Sequence, residues 1–397
     1  MFKVGIFSIG QCGGNIAYST VNVDRELQEK AGDNYVPFIV EALNSTEFDA
    51  KDLKELGVPV KIIGDKNADE TEGGSAKQRK TSKNTFKKYG REAINDMTTE
   101  FANCQIIIGQ ASTGGGTGSG QVVMVMDILK SSIAKFDKEK GTKKKRAFII
   151  YGVAPSLSED IKALSNSVEC IKEMNNLPLA YILLDNERVG TNAIKEIFDK
   201  VNSAAVDDMR VLRGDFNSIP GVRNIDFGDW MSLLTTPGLM SINKITGIKE
   251  TDLDKNSIDS LIIKSIKESY NIQMEKDKIV GKIGIILSLT ESMFAKFDES
   301  LTELQNEIGK TPYKFIHVNL VESEEETSII TILAGLSCPD SRLSEYVDTI
   351  NAAKEELTKV KETKVNDLNE SVSWFNDDED ELDDEPEEDI DDIMGKY

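Results

Sequence analysis

Six short apolar runs punctuate the first half of the chain: KVGIFSI (3–9), VPFIVEAL (36–43), VPVKII (58–63), CQIIIGQ (104–110), AFIIYGVA (147–154) and LAYILLD (179–185). Several are almost unbroken in Ile, Val, Leu and Phe. A strand with one wet face alternates apolar and polar residues. A strand covered on both faces does not, so these runs predict parallel strands buried between helix layers. Segments long enough for crossover helices separate most of them. This is the βαβ rhythm of a doubly wound α/β domain, in which ligands bind beyond the carboxyl ends of the strands.

Two glycine-rich turns fall at such ends. QASTGGGTGSGQVV (110–123) follows the run at 104–110 and precedes a helical pattern of Val122, Val123, Met126, Leu129 and Ile133. A flexible linker does not sit between a buried strand and a helix. A glycine turn there exposes backbone N–H groups at a helix N-terminus, which together with the helix dipole form an anion site. The spacing fails the two common nucleotide motifs. No GxxxxGK[ST] is present, because Leu304 stands where the GKT at 309–311 would need its first glycine. GxGxxG fails at Ser119 and again at Gln121. The turn reads as a phosphate cradle of a third kind. SIGQCGGNIA (8–17) repeats the strand–glycine–helix arrangement, and two such turns in one sheet can grip one polyphosphate from both sides.

Composition removes several alternatives. The net charge is −22, and 377–397 holds 13 acidic residues against one lysine, leaving about −10 for the rest. An acidic body argues against broad contact with nucleic-acid phosphates. The four cysteines, Cys12, Cys104, Cys170 and Cys338, form no CxxC, which suits a reducing cytoplasm and gives no metal framework. The one histidine, His317, lies in an apolar alternating run and reads as structural. The N-terminus reads as a strand rather than a signal peptide, and no apolar stretch reaches the roughly 20 residues of a membrane span. The basic run 143–146 reads as a solvated loop.

Ile197, Phe198, Val201, Ala205 and Met209 recur at helical spacing and predict one long helix ended by Gly214. Strands are expected at 278–289, 313–321 and 327–335, in a smaller α+β region. Leu343, Tyr346, Val347, Ile350, Leu357 and Val360 line one face of a long terminal helix. The strongly acidic end is expected to be disordered without a partner.

With these residues assembled, the sequence resembles the tubulin/FtsZ superfamily of filament-forming GTPases over roughly 1–350. GGGTGSG (114–120) looks like that family's signature phosphate loop, and GQCGGN (10–15) like its first glycine loop. LLDNERV (183–189) resembles the loop that holds guanine, and NIDFGDW (224–230) the loop that completes catalysis in the neighbouring subunit. The resemblance implies GTP or GDP with Mg²⁺ as ligands, with no metal-binding residues assigned. Gly10, Gln11, Cys12, Gly13 and Asn15 would meet the α- and β-phosphates. Gly114, Gly115, Gly116, Thr117 and Gly118 would bind the β- and γ-phosphates. Asn44 and Asp49 would approach the γ-phosphate, Mg²⁺ or ribose, and Gly73 and Gly74 would sense the γ-phosphate. Asn186 and Asn202 would read the guanine edge, an amide having both donor and acceptor. Phe198 would stack on the base, although it also falls in the apolar stripe of its helix.

Asp226 and Asp229, read alone, form a solvated turn or helix cap. The resemblance makes them, with Asn224, the catalytic group that orients water in the next subunit of a head-to-tail filament. Phosphoryl transfer needs positioning and charge neutralisation more than covalent chemistry, which suits a chain without a catalytic histidine.

The expected organisation is a GTP-binding domain (1–190), a central helix (191–216), an α+β activation domain (217–340), a terminal helix (341–364) and an acidic tail (365–397). The acidic tail and lysine-, asparagine- and isoleucine-rich composition look most like the plasmid- and phage-encoded tubulin-like branch (TubZ and PhuZ types). That branch segregates or positions DNA in bacteria. A division-ring protein of the FtsZ kind is the alternative. The partners implied are further copies of the chain and a DNA-binding adaptor docked on the tail, in the cytoplasm. The tail reads equally as a self-repelling solubiliser.

Overall fold

The computed structural model describes residues 2–32, 35–64, 75–191, 193–218, 221–253, 257–276 and 280–370. Gly73, Gly74 and the tail beyond residue 370 lie outside them. Two units are distinguished, Met1–Ile350 and Asn351–Tyr397, and the first carries the sheet and the site.

Ten strands form one sheet: β1 (Val4–Ile9), β2 (Ile39–Asn44), β3 (Val60–Ile62), β4 (Ile106–Ser112), β5 (Ala147–Ala154), β6 (Ala180–Asp185), β7 (Gly238–Thr246), β8 (Lys282–Leu289), β9 (Lys314–Leu320) and β10 (Ser328–Leu336). Their spatial order is β3-β2-β1-β4-β5-β6-β7-β10-β8-β9. From β3 to β7 every pairing is parallel; β10 then runs antiparallel to both β7 and β8. β1 and β6 are buried along their whole length, and β4 up to its last residue. This is what helices on both faces require of parallel strands.

Ser8, Gln110 and Tyr151 occupy one register layer across β1, β4 and β5. Tyr151 Oη donates to Asp208 Oδ2 at 2.7 Å. Burial pushes the Asp208 carboxyl up to about 8, with the Tyr151 bond opposing. Glu41 in β2 is raised to about 7, by burial first and then by Glu100 and Asp96.

The central helix (Ile194–Arg213) ends at Gly214, whose φ of 80° is left-handed and whose N–H bonds back into the last turn. Arg213, fully buried, pairs with Asp24 at 2.6 Å and Asp215 at 2.7 Å and stacks over Tyr35 and Phe38. That network fixes the helix end against the first helix (Gly10–Ala31).

Three expectations change. TTPGLMSINKI carries β7, unrecognised because Ser241, Asn243 and Lys244 interrupt its apolar pattern; Ser241 and Asn243 are buried but bond each other at 3.0 Å. The basic run is solvated only at Lys143–Lys145. Arg146 turns inward to pair with Asp137 and to donate to the Ala102 and Cys104 carbonyls. The terminal helix spans Asp340–Glu370; Leu343, Tyr346 and Ile350 are buried, whereas Leu357 is exposed. His317 is buried, bonded to Asn319 at 3.0 Å and packed on Phe216. No helix among the described residues is long and apolar enough to cross a membrane.

Candidate functional site

A cleft of about 730 Å³ opens at the carboxyl ends of the parallel strands. Gln11, Cys12 and Asn15 enter it after β1, Ser112 from the end of β4, and Val153, Ser156, Ser158 and Glu159 from β5 and its loop. Asn186, Glu187, Gly190 and Thr191 follow β6, and Ile197, Phe198, Val201 and Asn202 come from the first turns of the central helix.

The two glycine turns meet beside this lining. Gly10 adopts a φ of 70°, and a Cβ there would stand 3.4 Å from Gly118 N. A Cβ on Gly13 would lie 2.4 Å from the Gln110 carbonyl oxygen, so the first helix crosses β4 at a distance only glycine permits. The helices that start here, Gly10–Ala31 and Gly116–Glu139, have no side-chain N-cap and no acid in their first turn. Their leading N–H groups have no side-chain acceptor, in contrast to the helix Ile161–Asn175, capped by Asp160.

The second turn is pinned from several sides. Asn166 Nδ2 donates to the Gly114 and Lys77 carbonyls at 3.1 and 2.9 Å. Arg79, nearly buried, donates to the Ser119 carbonyl at 3.1 Å and pairs with Glu169 and Glu173. Thr117 Oγ1 lies 3.1 Å from Ser45 Oγ and 3.2 Å from Ser75 Oγ, so three hydroxyls cluster beside Gly116. Ala76 and Lys77, next to Ser75, hold positive φ values of 45° and 61°.

At the other end of the cleft, Asn186 Nδ2 donates to Glu159 Oε1 at 3.2 Å, while Asn186 Oδ1 is buried without a partner. A carboxylate only accepts, so this contact fixes which way the amide points. The free atom is an acceptor, complementary to a ring edge that donates. Phe198 is half-exposed, its ring left uncovered by core. The Cys12 thiol is pushed up to about 12, by burial and then by Glu159, which suits a small neutral neighbour to phosphate rather than a nucleophile.

Not every anticipated residue joins the cleft. Asn44 is buried and its Oδ1 accepts from Ser45 N at 2.8 Å; Ser45 rather than Asn44 reaches Thr117. Asp49 is exposed in the turn Phe48–Ala50. Ser156, Ser158, Glu159, Glu187 and Thr191 were missed, although their position just past β5 and β6 is where a parallel sheet offers ligand contacts.

Asn224, Asp226 and Asp229 are elsewhere. Asp226 caps the helix Phe227–Leu234, its Oδ1 accepting from Asp229 N at 2.8 Å. The Asn224 side chain closes a turn on Gly221. Buried Trp230 anchors this loop, packing on Phe216 and donating to the Leu212 carbonyl at 3.3 Å. Phe227 packs on Phe2, which precedes β1 and donates to the Arg213 carbonyl. The loop therefore sits at the amino end of β1 and the far end of the central helix. Six strand residues rise about 20 Å, and the eleven helical steps from Asn202 to Arg213 about 16 Å, so these carboxylates do not reach their own chain's cleft.

A second cavity, of about 520 Å³, lies beside the helix Ile258–Glu268. Its Arg188 and Lys267 are already committed, Arg188 to backbone carbonyls and Lys267 to Glu307.

Residues 3–193 match the family described as Tubulin/FtsZ family, GTPase domain. The chain is 21% identical to the tubulin-like protein TubZ of Bacillus cereus over 94% of its own length and 88% of that protein's. It is 22% identical to TubZ of a Clostridium botulinum C phage, over 100% and 99% of the two chains. Among solved structures, a GTPγS-form protofilament of Bacillus thuringiensis serovar israelensis TubZ superposes with a TM-score of 0.69 at 15% identity, covering 91% of this chain and 94% of that one.

Proposed function

From a chain whose residues 3–193 form a GTPase domain of the tubulin/FtsZ family, we propose a protein that polymerises head-to-tail with GTP and hydrolyses it between subunits. One observation carries the reading. The cleft and the Asp226 loop occupy opposite ends of the sheet, so a donor of carboxylates and an acceptor of nucleotide come together only when copies stack end to end. Phe48, 87% exposed beyond β2 at the cleft end, and half-exposed Phe227 at the other, give each end apolar surface to bury.

In this reading the uncapped N–H groups after Gly10 and Gly115 hold the phosphates, and the Thr117 hydroxyl adds a donor. Phe198 stacks on the base, while Asn186 and Asn202 read its edge. Asn224 and Asp226 of the next subunit orient the attacking water, with Asp229 beside them. No cluster of three metal-ligating side chains occurs among the described residues, which fits an Mg²⁺ held largely by phosphate oxygens and water. That ion would neutralise charge developing on the phosphates.

Relatives matching along the whole chain are TubZ proteins, which favours a role in segregating or positioning plasmid or phage DNA in a bacterial cytoplasm over a division ring. The acidic segment 377–397 is then the surface for a DNA-binding adaptor. GTP turnover per subunit, measured against protein concentration, tests the split site: it should rise above a threshold that coincides with filaments in electron micrographs. A rate per subunit that stays flat from dilute to concentrated protein refutes it.

A further inference from the structure

The base end of the cleft rests on a part of the chain more than 150 residues away in sequence. Asp185, the last residue of β6, is buried, and its Oδ1 accepts from Glu187 N at 3.0 Å, capping the turn Asn186–Val189. The same oxygen accepts from Arg342 Nη2 at 2.9 Å. One turn further along the terminal helix, buried Tyr346 donates its hydroxyl to the Pro155 carbonyl at 2.7 Å. Pro155 leads directly into Ser156, Ser158 and Glu159 of the cleft wall. The Arg342 guanidinium lies 4.8 Å from the centre of the Tyr346 ring, so the two act as one block.

The two loops held by this block are also tied to each other. Glu187 Oε2 accepts from Leu157 N at 2.9 Å, and Glu159 Oε1 accepts from both Ser156 N and Asn186 Nδ2. The Asn186 amide is thus aimed by a chain of contacts that ends on Arg342 and Tyr346. A buried carboxylate at Asp185 is costly unless it is paired. Burial pushes its carboxyl up, and Arg342 is the largest influence in the other direction.

Resting on the guanine-reading role proposed for Asn186, we infer that Arg342 and Tyr346 are positioning residues for base selectivity. They touch no nucleotide. They hold the Asp185–Glu187 turn and the Pro155–Glu159 loop in the one relation that leaves Asn186 Oδ1 free for the donors of a guanine edge. Adenine presents an acceptor at its ring nitrogen, and hypoxanthine lacks guanine's exocyclic amine, so both meet that oxygen with fewer donors.

The test measures dissociation constants for GTP, ITP and ATP below the assembly concentration, in wild type, Tyr346→Phe, Arg342→Lys and the double variant Asp185→Asn/Arg342→Met. Tyr346→Phe removes one hydroxyl, and the double variant leaves no buried charge unpaired, so a folded protein is available for the measurement; thermal melts verify it. The preference for GTP over ITP and ATP should fall about fivefold to tenfold in the variants. KM for GTP should rise while kcat at saturating GTP stays within about twofold. A merely structural role lowers affinity for all three nucleotides equally and leaves the ratios unchanged, and that result overturns the inference while sparing the parent reading. A wild-type chain with no preference for GTP over ATP overturns both.

Discussion

The two ends of the sheet are built on opposite terms. At the carboxyl end, side chains from the loops after β1, β4, β5 and β6 and from the central helix converge on one cleft. They are cross-bonded to one another, and the glycine turns that join them have backbone donors to spare. At the amino end, Asn224 and Asp226 face solvent and bond only within their own turn. One end gathers polar side chains and free backbone donors into a cleft; the other is satisfied within itself as a helix cap. On the proposed reading, the difference means that binding belongs to one chain and hydrolysis to two.

The sharpest way to break this comparison is Asp226→Asn. Asparagine caps a helix about as well as aspartate, so the loop keeps its shape and loses only the carboxylate. GTP turnover should fall about 100-fold or more, with nucleotide affinity and filament formation retained; a variant that no longer binds nucleotide removes the catalytic role. Gly13→Ala attacks the other end. Its Cβ would stand 2.4 Å from the Gln110 carbonyl oxygen, and relieving that overlap costs about 1–3 kcal/mol and disturbs the phosphate turn. Mixing Asp226→Asn with Gly13→Ala restores part of the turnover if the two ends serve each other across subunits, whereas an inactive mixture denies it.

Phe198→Ala should weaken GTP binding about tenfold, a typical loss for an aromatic stacked on a base. Its thermal unfolding should hardly move, because the ring is half-exposed; a large loss of stability with unchanged affinity would return Phe198 to the core. A separate effect concerns pH. The Asp208 carboxyl ionises near 3.8 in the unfolded chain and at about 8 in the fold. Below the lower value it is neutral in both states and costs nothing. Between the two the unfolded chain ionises first, so folding stability is lost as pH rises. Melting temperature measured from pH 5 to 8 should fall less steeply in Asp208→Asn than in wild type, and parallel curves would show that Asp208 carries none of the slope.

Much of the parallel half was legible in the sequence because burial on both faces leaves an unmistakable run of Ile and Val, as in β4, and because Gly214 stops a helix in a way few residues can. The two glycine turns were legible from their place between strand and helix, and the family resemblance pointed to Asn186, Phe198 and Asn202, which line the cleft. The cleft was illegible where ordinary polar residues act by location. Glu159 and Ser156 follow β5 in a stretch with no signature, and the resemblance pointed to Asn44 where the fold brings Ser45 to Thr117. β7 hid because its buried Ser241 and Asn243 satisfy each other, a pairing that no linear pattern reveals. Arg146 read as a surface cation until the fold brought Asp137 to it, and nothing in the linear pattern singled out Arg342 as the partner of Asp185.

The seam between β6 and β7 has a mechanical meaning. They pair only through Ala180, Tyr181 and Ile182, after which β6 turns its edge to Asn271 instead. The antiparallel β7–β10 pairing, by contrast, runs from Ser328 to Leu336. Tension along the strands is resisted in proportion to the ladder it must shear, so this seam yields before its neighbours. A pull across the sheet would load this seam harder than the β5–β6 and β7–β10 pairings on either side of it.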